Sequence, residues 1–183
     1  MRIAYRERPI SMRWEAQSDA SESATILALK RVADVSTLFV RAALAFSFLS
    51  AVADRFGFWG AHGQKNVAWG DFNHFVAYTS KLNWFVPFSL IPILAWTATI
   101  AETALAFGLL IGLFTRAAAL LSGILLMLFA LTMTVALGAK APLDFSVFSA
   151  SAGAFLLAAQ RNYPFSLDAW WESRTKSTIS SQE

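Results

Sequence analysis

The residue with the clearest chemical potential is Glu102, a carboxylic acid near the middle of the apolar stretch at residues 91–116. A helix of about 20 apolar residues crosses the ~30 Å hydrocarbon core of a bilayer. A charge at that depth costs at least ~2.5 kcal/mol, so it should face protein and have a partner. Glu102 is therefore the candidate catalytic residue, because a buried carboxyl group can donate or accept a proton.

The expected partner of Glu102 is Arg41, which lies inside a second apolar stretch at residues 35–53. A span that starts at residue 35 puts Arg41 about 9 Å from one membrane edge, and Glu102 falls about 12 Å from the same edge. A guanidinium can bind both oxygens of a carboxylate, which favours this pairing. An isolated arginine would instead extend towards the lipid headgroups. The depths predict a buried Arg41–Glu102 ion pair.

Further candidates for a ligand pocket lie in the aromatic-rich connection at residues 54–87. A quinone headgroup needs a proton donor or acceptor beside an apolar slot. Arg55, Trp69 and His74 therefore join Arg41 and Glu102 as candidates for a quinone or other ligand pocket. No cofactor is evident beyond that quinone.

No metal site is predicted. The two histidines, His62 and His74, could ligate haem or a metal, but neither has an acidic or histidine partner at ligand spacing. Exposed polar histidines are the favoured interpretation. The absence of cysteine excludes disulfides, thiolate catalysis, Cys-ligated iron–sulfur clusters and Cys-based zinc sites.

Composition indicates a membrane protein. Of the 183 residues, 56% are hydrophobic and only 15% charged, whereas soluble domains carry about 25% charge. The net charge of +3 fits basic residues beside membrane spans and does not require nucleic acid as a partner. The length allows one domain of about four spans.

Four apolar segments follow one another, at residues 35–53, 88–114, 117–137 and 144–159. The first also resembles a secretory signal in part, since a short apolar run ends in Ala-Val-Ala before Asp54. We expect Thr115 to cap the third span and Asp144 the fourth, with Thr115 and Arg116 forming a structural turn before the third. The second span has one face of small and polar residues, suited to close helix contact: Ala95, Ala98, Thr99, Glu102 and Ala106.

A shorter amphipathic helix is predicted at residues 71–82, with Asp71 as its cap. Its apolar residues recur at helical spacing, and its polar content is too high for a span. We expect it to lie flat in the membrane interface. The predicted fold is thus all-α, a four-helix transmembrane bundle with an extra interfacial helix between spans one and two.

The two ends are polar. Residues 1–34 are expected to form a mobile cytoplasmic tail, and residues 161–183, with aromatic and basic side chains, a cytoplasmic interfacial tail around the 35–160 membrane domain. Ten lysines and arginines fall on the side of the termini and four on the other side, leaving out Arg41. The positive-inside rule then predicts a multi-pass protein with both termini in the cytoplasm.

Residues 35–160 resemble the DoxX/DoxD-like family of integral membrane proteins. The resemblance rests on Arg41, Glu102 and the run Gly112-Leu113-Phe114-Thr115-Arg116 that opens the third span. It implies a bacterial inner-membrane protein beside respiratory or detoxifying redox chemistry. Some members look like subunits of a thiosulfate:quinone oxidoreductase, and others act as membrane partners in oxidative-stress complexes.

Three functional hypotheses remain open. The chain could be an accessory or quinone-linked oxidoreductase subunit that depends on a redox partner protein, since no haem, iron–sulfur or flavin site is visible. It could be a non-enzymatic membrane scaffold in which the buried ion pair fixes helix register. It could also be a small-molecule transporter, for which four spans would require a homo-oligomer.

Overall fold

The computed structural model describes the backbone of residues 10–180 and the side chains of residues 21–171, 173 and 174. Its regular structure over that range is helical, which confirms the predicted all-α class. The helices are α1 (Ile10–Arg55), α2 (Phe72–Leu82), α3 (Ile91–Ile111), α4 (Thr115–Leu137), α5 (Lys140–Asp144), α6 (Val147–Ala158) and α7 (Leu167–Ser180), with a 3-10 turn at Phe88–Leu90. The chain divides into two compact units, Met1–Ser36 and Thr37–Glu183.

Within residues 10–180, three stretches are long and apolar enough to cross a membrane: Ser21–Arg55, Phe88–Ile111 and Thr115–Leu137. Each exceeds the length of about 20 residues that a bilayer core requires. Large apolar side chains on these helices are exposed, including Phe39, Ile100 and Val135. By length and composition, the chain is a membrane-spanning protein.

The first helix corrects one prediction. The mobile tail expected up to residue 34 is helical from Ile10 onwards, while residues 1–9 lie outside the described part of the chain. The segment is polar at residues 17–24, but alanine, leucine, lysine and glutamate favour helix without any buried contact. The start of the apolar run at residue 35 is therefore not the start of a helix.

The fourth apolar segment also differs from its prediction. Residues 144–159 contain α6, whose 12 residues extend about 18 Å, less than a bilayer core. Asp144 does not cap it, because Asp144 ends α5 and pairs with Lys140 four residues earlier. Ser146, with a φ of 56°, occupies the cap position and makes no side-chain cap bond.

Four helices contribute to one buried apolar cluster in the unit Thr37–Glu183. Small residues let α4 and α6 approach closely, and the Ser151 hydroxyl donates to the Gly123 carbonyl oxygen at 2.8 Å. A Cβ on Gly123 would lie 2.8 Å from the Phe155 ring. The cluster comprises Leu44, Ala45 and Phe48 of α1, Ala106 and Leu109 of α3, Ala118 and Ala119 of α4, and Ala154, Leu157 and Ala158 of α6.

The predicted inner face of the second span is confirmed on α3. Ala95, Thr99, Glu102 and Ala106 are all buried, and Ala98 is half-buried. The spacing of three and four residues puts them on one side of the helix. This face carries Glu102 into the protein interior.

Candidate functional site

Glu102 forms a buried ion pair with Arg55, at the end of α1. The Nη2 atom of Arg55 donates to both carboxylate oxygens of Glu102, at 2.6 and 2.8 Å. Its Nη1 atom donates to the Thr99 hydroxyl at 2.8 Å. Arg55 is 2% exposed and Glu102 1% exposed, so both charges are removed from solvent and lipid. Such a pair is retained only where each charge has its partner.

The predicted Arg41–Glu102 pair is wrong. Arg41 is buried, but its Nε atom donates to the Leu109 carbonyl oxygen at 3.1 Å and its Nη1 atom to that of Pro164 at 2.9 Å. The depth argument took residue 35 as one membrane edge, whereas α1 continues unbroken on both sides of that residue. Along α1 and α3, Arg41 therefore lies level with the end of α3, and Arg55 with its middle.

Aromatic rings cover the Arg55 guanidinium. Its Cζ atom lies 3.8 Å from the centroid of the Phe75 ring and 5.4 Å from that of Trp69. The two rings meet edge to face, with centroids 5.1 Å apart. Desolvated cation–π contacts of this kind stabilise the charged guanidinium.

One donor of the site has no acceptor. Because a single nitrogen of Arg55 binds both oxygens of Glu102, the Nε–H group takes no part in the ion pair. This buried Nε atom has no hydrogen-bond partner among the described residues. A buried donor without an acceptor is costly, so it marks the point where a bound acceptor would gain most.

Asp54 holds the segment that carries Trp69. Its buried carboxylate accepts hydrogen bonds from the backbone N–H groups of Ala68, Trp69 and Gly70, at 2.8, 3.1 and 3.4 Å. Asp54 thus holds the segment whose Trp69 ring covers the site, while its neighbour Arg55 forms the ion pair beneath that ring.

The two histidines lie against each other at the surface. The rings of His62 and His74 stack with centroids 3.6 Å apart and an interplanar angle of 10°. His62 Nδ1 lies 3.0 Å from the Trp69 carbonyl oxygen, and His74 Nδ1 lies 2.8 Å from Asp71 Oδ2. Both are exposed as predicted, but the expectation that neither has an acidic or histidine partner is wrong: His62 stacks on His74, and His74 pairs with Asp71 three residues earlier. Among the described side chains, no group of three metal-ligating residues occurs.

Asp71 caps α2 as predicted. Its Oδ1 atom accepts a hydrogen bond from the His74 backbone N–H at 2.9 Å. That bond, with the one to the His74 side chain, lowers the pKa of the Asp71 carboxyl below its ordinary value. The buried face of α2 consists of Phe75, Thr79 and Leu82.

A second cluster lies at the far end of α3. The Asp168 carboxylate accepts hydrogen bonds from the backbone N–H groups of Phe114 and Thr115, at 2.9 and 2.7 Å. Thr115 therefore does not cap α4 itself, and its hydroxyl oxygen is buried without a partner in the described structure. Gly112 must be glycine here, since its φ is +74° and a Cβ would lie 2.4 Å from Arg41 Nη2.

The structure thus separates the predicted site residues. Arg55, Glu102 and Trp69 come together, with His74 one layer further out. Arg41 and Thr115 belong to the second cluster, and Arg116 is exposed. Three members of the first group were not among the predicted site residues. Thr99, three residues before Glu102, had a signal in its helical spacing. Asp54 and Phe75 had none beyond their position beside Arg55 and on the buried face of α2.

Comparison of the chain with known proteins gave no match. No family model, no curated protein and no solved structure matches it. The likeness to DoxX/DoxD-like proteins stays a prediction from the sequence.

Proposed function

We propose that the chain is a DoxX-like membrane subunit of a redox complex and binds a quinone headgroup beside the Arg55–Glu102 pair. The observation that carries the proposal is the buried Arg55 Nε–H group, which lies beneath an aromatic cover and has no acceptor in the described part of the chain. A quinone carbonyl oxygen would accept from it, and Trp69 and Phe75 would contact the ring face. The neighbouring carboxyl would exchange a proton with the ligand.

The chemistry requires a partner. Reduction of a quinone to a quinol takes up two electrons and two protons. In this scheme a redox partner protein supplies the electrons, and Glu102 passes on protons taken from the aqueous side. Arg55 keeps the headgroup in place through its Nε–H group and through its contacts with the ring-bearing cover.

The proposal includes a membrane arrangement. The helix α6 would complete a four-helix bundle, and α2 would lie in the interface opposite the termini. Exposed aromatic side chains around α2, including Trp59, Trp84 and Phe85, support that position because such rings concentrate at membrane interfaces. The excess of basic residues on the other side supports cytoplasmic termini in a bacterial inner membrane.

A structural scaffold is the second candidate function, and one observation favours it. Arg55 and Glu102 are only 2% and 1% exposed, so the pair could serve solely to fix the register of α1 against α3. A scaffold would need no ligand at the Arg55 Nε–H group. The two functions therefore differ in one property, saturable binding at the pair.

Titration of the purified protein with a short-chain quinone analogue separates the two candidates. We expect saturable quenching of Trp69 fluorescence, measured as the difference from Trp69→Phe. Arg55→Lys removes the Nε–H donor but keeps a positive charge, and should weaken binding about tenfold, the loss of one buried hydrogen bond. Lys140→Gln, at an exposed ion pair far from the site in sequence, is the matched control. A folded protein without saturable quenching would support the scaffold and contradict the quinone site.

A further inference from the structure

The ion pair is closed off from solvent. Arg55 and Glu102 have almost no exposed surface, so a ligand reaches them only if part of their cover moves. That cover consists of Phe75 on α2 and of Trp69, which ends the connection between α1 and α2. We refer to residues 57–70 as the cover segment.

The cover segment is fastened on its inner side by Asp54. The carboxylate holds three consecutive N–H groups of residues 68–70. Asp54 is 6% exposed, so water competes little for these bonds. Glycine at both ends allows the tight fold, because Gly57 and Gly70 have φ values of +75° and +73°. The hydrogen bonds to Asp54 therefore hold the inner side of the cover segment in place.

The outer fastening is of another kind. His62, within the cover segment, stacks on His74 of α2, and His74 in turn bonds to Asp71. We refer to these three side chains as the histidine clasp. Its members are exposed to solvent, with side-chain exposures of 45% for His74 and 49% for Asp71. The clasp joins the cover segment to α2 through groups that water and protons can reach.

The hydrogen bonds of the clasp show which ring nitrogen of each histidine already carries a hydrogen and which is free to accept a proton. The Trp69 carbonyl oxygen and the Asp71 carboxylate are both acceptors, so each ring nitrogen facing them carries its hydrogen. In the neutral rings, Nε2 is then the nitrogen that takes up a proton. Histidine is the side chain that ordinarily gains its charge between about pH 8 and pH 5.

We infer that the histidine clasp is a proton-operated latch on the cover of the Arg55–Glu102 pair. When both rings are protonated, two positive charges face each other with centroids 3.6 Å apart. Asp71 offsets one of them through its contact with His74. Among the described residues, the hydrogen-bond partner of the His62 ring is the neutral Trp69 carbonyl oxygen, which does not offset a second charge, so that charge repels the first.

The other charged groups around the clasp do not remove this repulsion. Asp54 directs its oxygen atoms to the backbone of residues 68–70. The charge of Arg55 beneath Trp69 is neutralised by Glu102. Lys65, in the cover segment itself, adds a further positive charge. Acidification therefore releases His62 from His74 and frees the outer side of the cover segment.

The gating role rests on the proposed ligand site, whereas release of the segment does not. Once His62 leaves the stack, the cover segment loses one of its contacts with α2 and opens over Arg55 more often. Ligand entry is then faster at lower pH. The segment can be followed by itself, with no ligand present, through its backbone amides.

Hydrogen exchange on the full chain in lipid nanodiscs tests the latch. We compare peptides that cover residues 61–70 at pH 7.5 and pH 5.5, with rates corrected for the intrinsic effect of pH on exchange. The open fraction should rise about fivefold on acidification. This factor corresponds to the Coulomb repulsion between two like charges about 4 Å apart at the dielectric constant of water. Gln64 and Val67, whose N–H groups bond within the segment, are the amides to watch.

Two variants make the test specific. His74→Phe keeps an aromatic ring against His62 but removes one charge, so its open fraction should not depend on pH. Asp71→Asn keeps a capping oxygen but removes the charge that offsets the repulsion between the two protonated rings, so the open fraction at pH 5.5 should exceed that of the native chain. An open fraction that is independent of pH in the native chain overturns the latch, and so does equal pH dependence in His74→Phe.

The ligand arm separates this inference from the proposed function. The association rate of the quinone analogue should rise with the open fraction, and should be independent of pH in His74→Phe. Release without any quinone binding would leave the latch standing and contradict the proposed function. Quinone binding to a protein whose cover segment does not open on acidification would support the proposed function and contradict the latch.

Discussion

Two buried arginines, 14 positions apart on α1, solve the same physical problem in different ways. Arg55 pairs with the Glu102 carboxylate beneath two aromatic rings. Arg41 donates to the backbone carbonyl oxygens of Leu109 and Pro164, and no ion pair to it occurs among the described side chains. The charge of Arg55 is paired directly with a carboxylate, whereas the charge of Arg41 is bound by carbonyl dipoles and interacts with the Asp168 carboxylate without a direct ion pair.

The difference shows what each arginine is for. Leu109 lies in the last turn of α3, where carbonyl groups lack helix partners, so Arg41 acts there as a cap that also holds the segment with Pro164. Such a role needs donors and positive charge, but no proton exchange. The Arg55 site combines a titratable carboxyl group, a donor without an acceptor among the described residues and an aromatic cover, which are the features on which the proposed ligand site rests.

The largest expected effect is at the Arg55 site. Arg55→Leu leaves the Glu102 carboxylate buried without its partner, so we expect a loss of about 3–5 kcal/mol in the free energy of unfolding. Denaturant unfolding in detergent micelles measures it. The exposed Arg116→Leu is the matched control, with a change within about 0.5 kcal/mol. Equal losses for the two variants would contradict a buried pair.

Arg41→Leu should cost less, because it leaves two carbonyl groups without a donor but no charge without a partner. We expect a total loss of about 1–3 kcal/mol in the free energy of unfolding, because a carbonyl group at a helix end can accept from water in place of Arg41. The segment around Pro164 should also become sensitive to limited proteolysis, which Arg55→Leu should not cause. A protease pattern identical in both variants would mean that Arg41 does not hold that segment.

Asp168→Asn tests the remaining link of the Arg41 cluster. The carboxylate accepts from two N–H groups at the start of α4, so its removal weakens both bonds and a favourable interaction with the helix dipole. We expect a loss of about 1–2 kcal/mol, typical for a helix cap. Asp144→Asn, at an exposed pair, is the control. An unchanged melting temperature in Asp168→Asn would show that α4 needs no cap from the carboxyl-terminal segment.

The smallest effect concerns the cap of α2. The pKa of Asp71 is lowered in the folded state, so its stabilising contribution is complete above the ordinary value of 3.8 and is lost as the pH falls through the lower folded value. Hydrogen exchange in the first turn of α2 should therefore rise between pH 5 and pH 3, beyond the intrinsic effect of pH. In Asp71→Asn this rise should be absent. Identical profiles would rule out the carboxylate as the cap.

The correct predictions from the sequence concern features that are set by residues close to one another in the chain. The buried face of α3 follows from residues three and four positions apart, and the Asp71 cap from its place before a short amphipathic run. Each depends on neighbours in the chain, so the pattern contains the answer.

What the sequence did not predict depends on distant contacts. The partner of Glu102 is set by the register of α1 against α3, and hydropathy marks neither the start of α1 nor that register. Asp168 caps a helix that begins 53 residues earlier, which no spacing rule shows. Asp54 binds the backbone 14 to 16 residues further on, and backbone donors leave no trace in side-chain patterns.

The most direct test of the account is a double-mutant cycle for unfolding on two pairs that share Glu102. The first cycle combines Arg55→Leu with Glu102→Leu, and the second combines Arg41→Leu with Glu102→Leu. We expect a coupling free energy of about 1–3 kcal/mol between Arg55 and Glu102, and additive losses for Arg41 and Glu102. Strong coupling of Glu102 to Arg41, with additive losses for Arg55, would contradict the account.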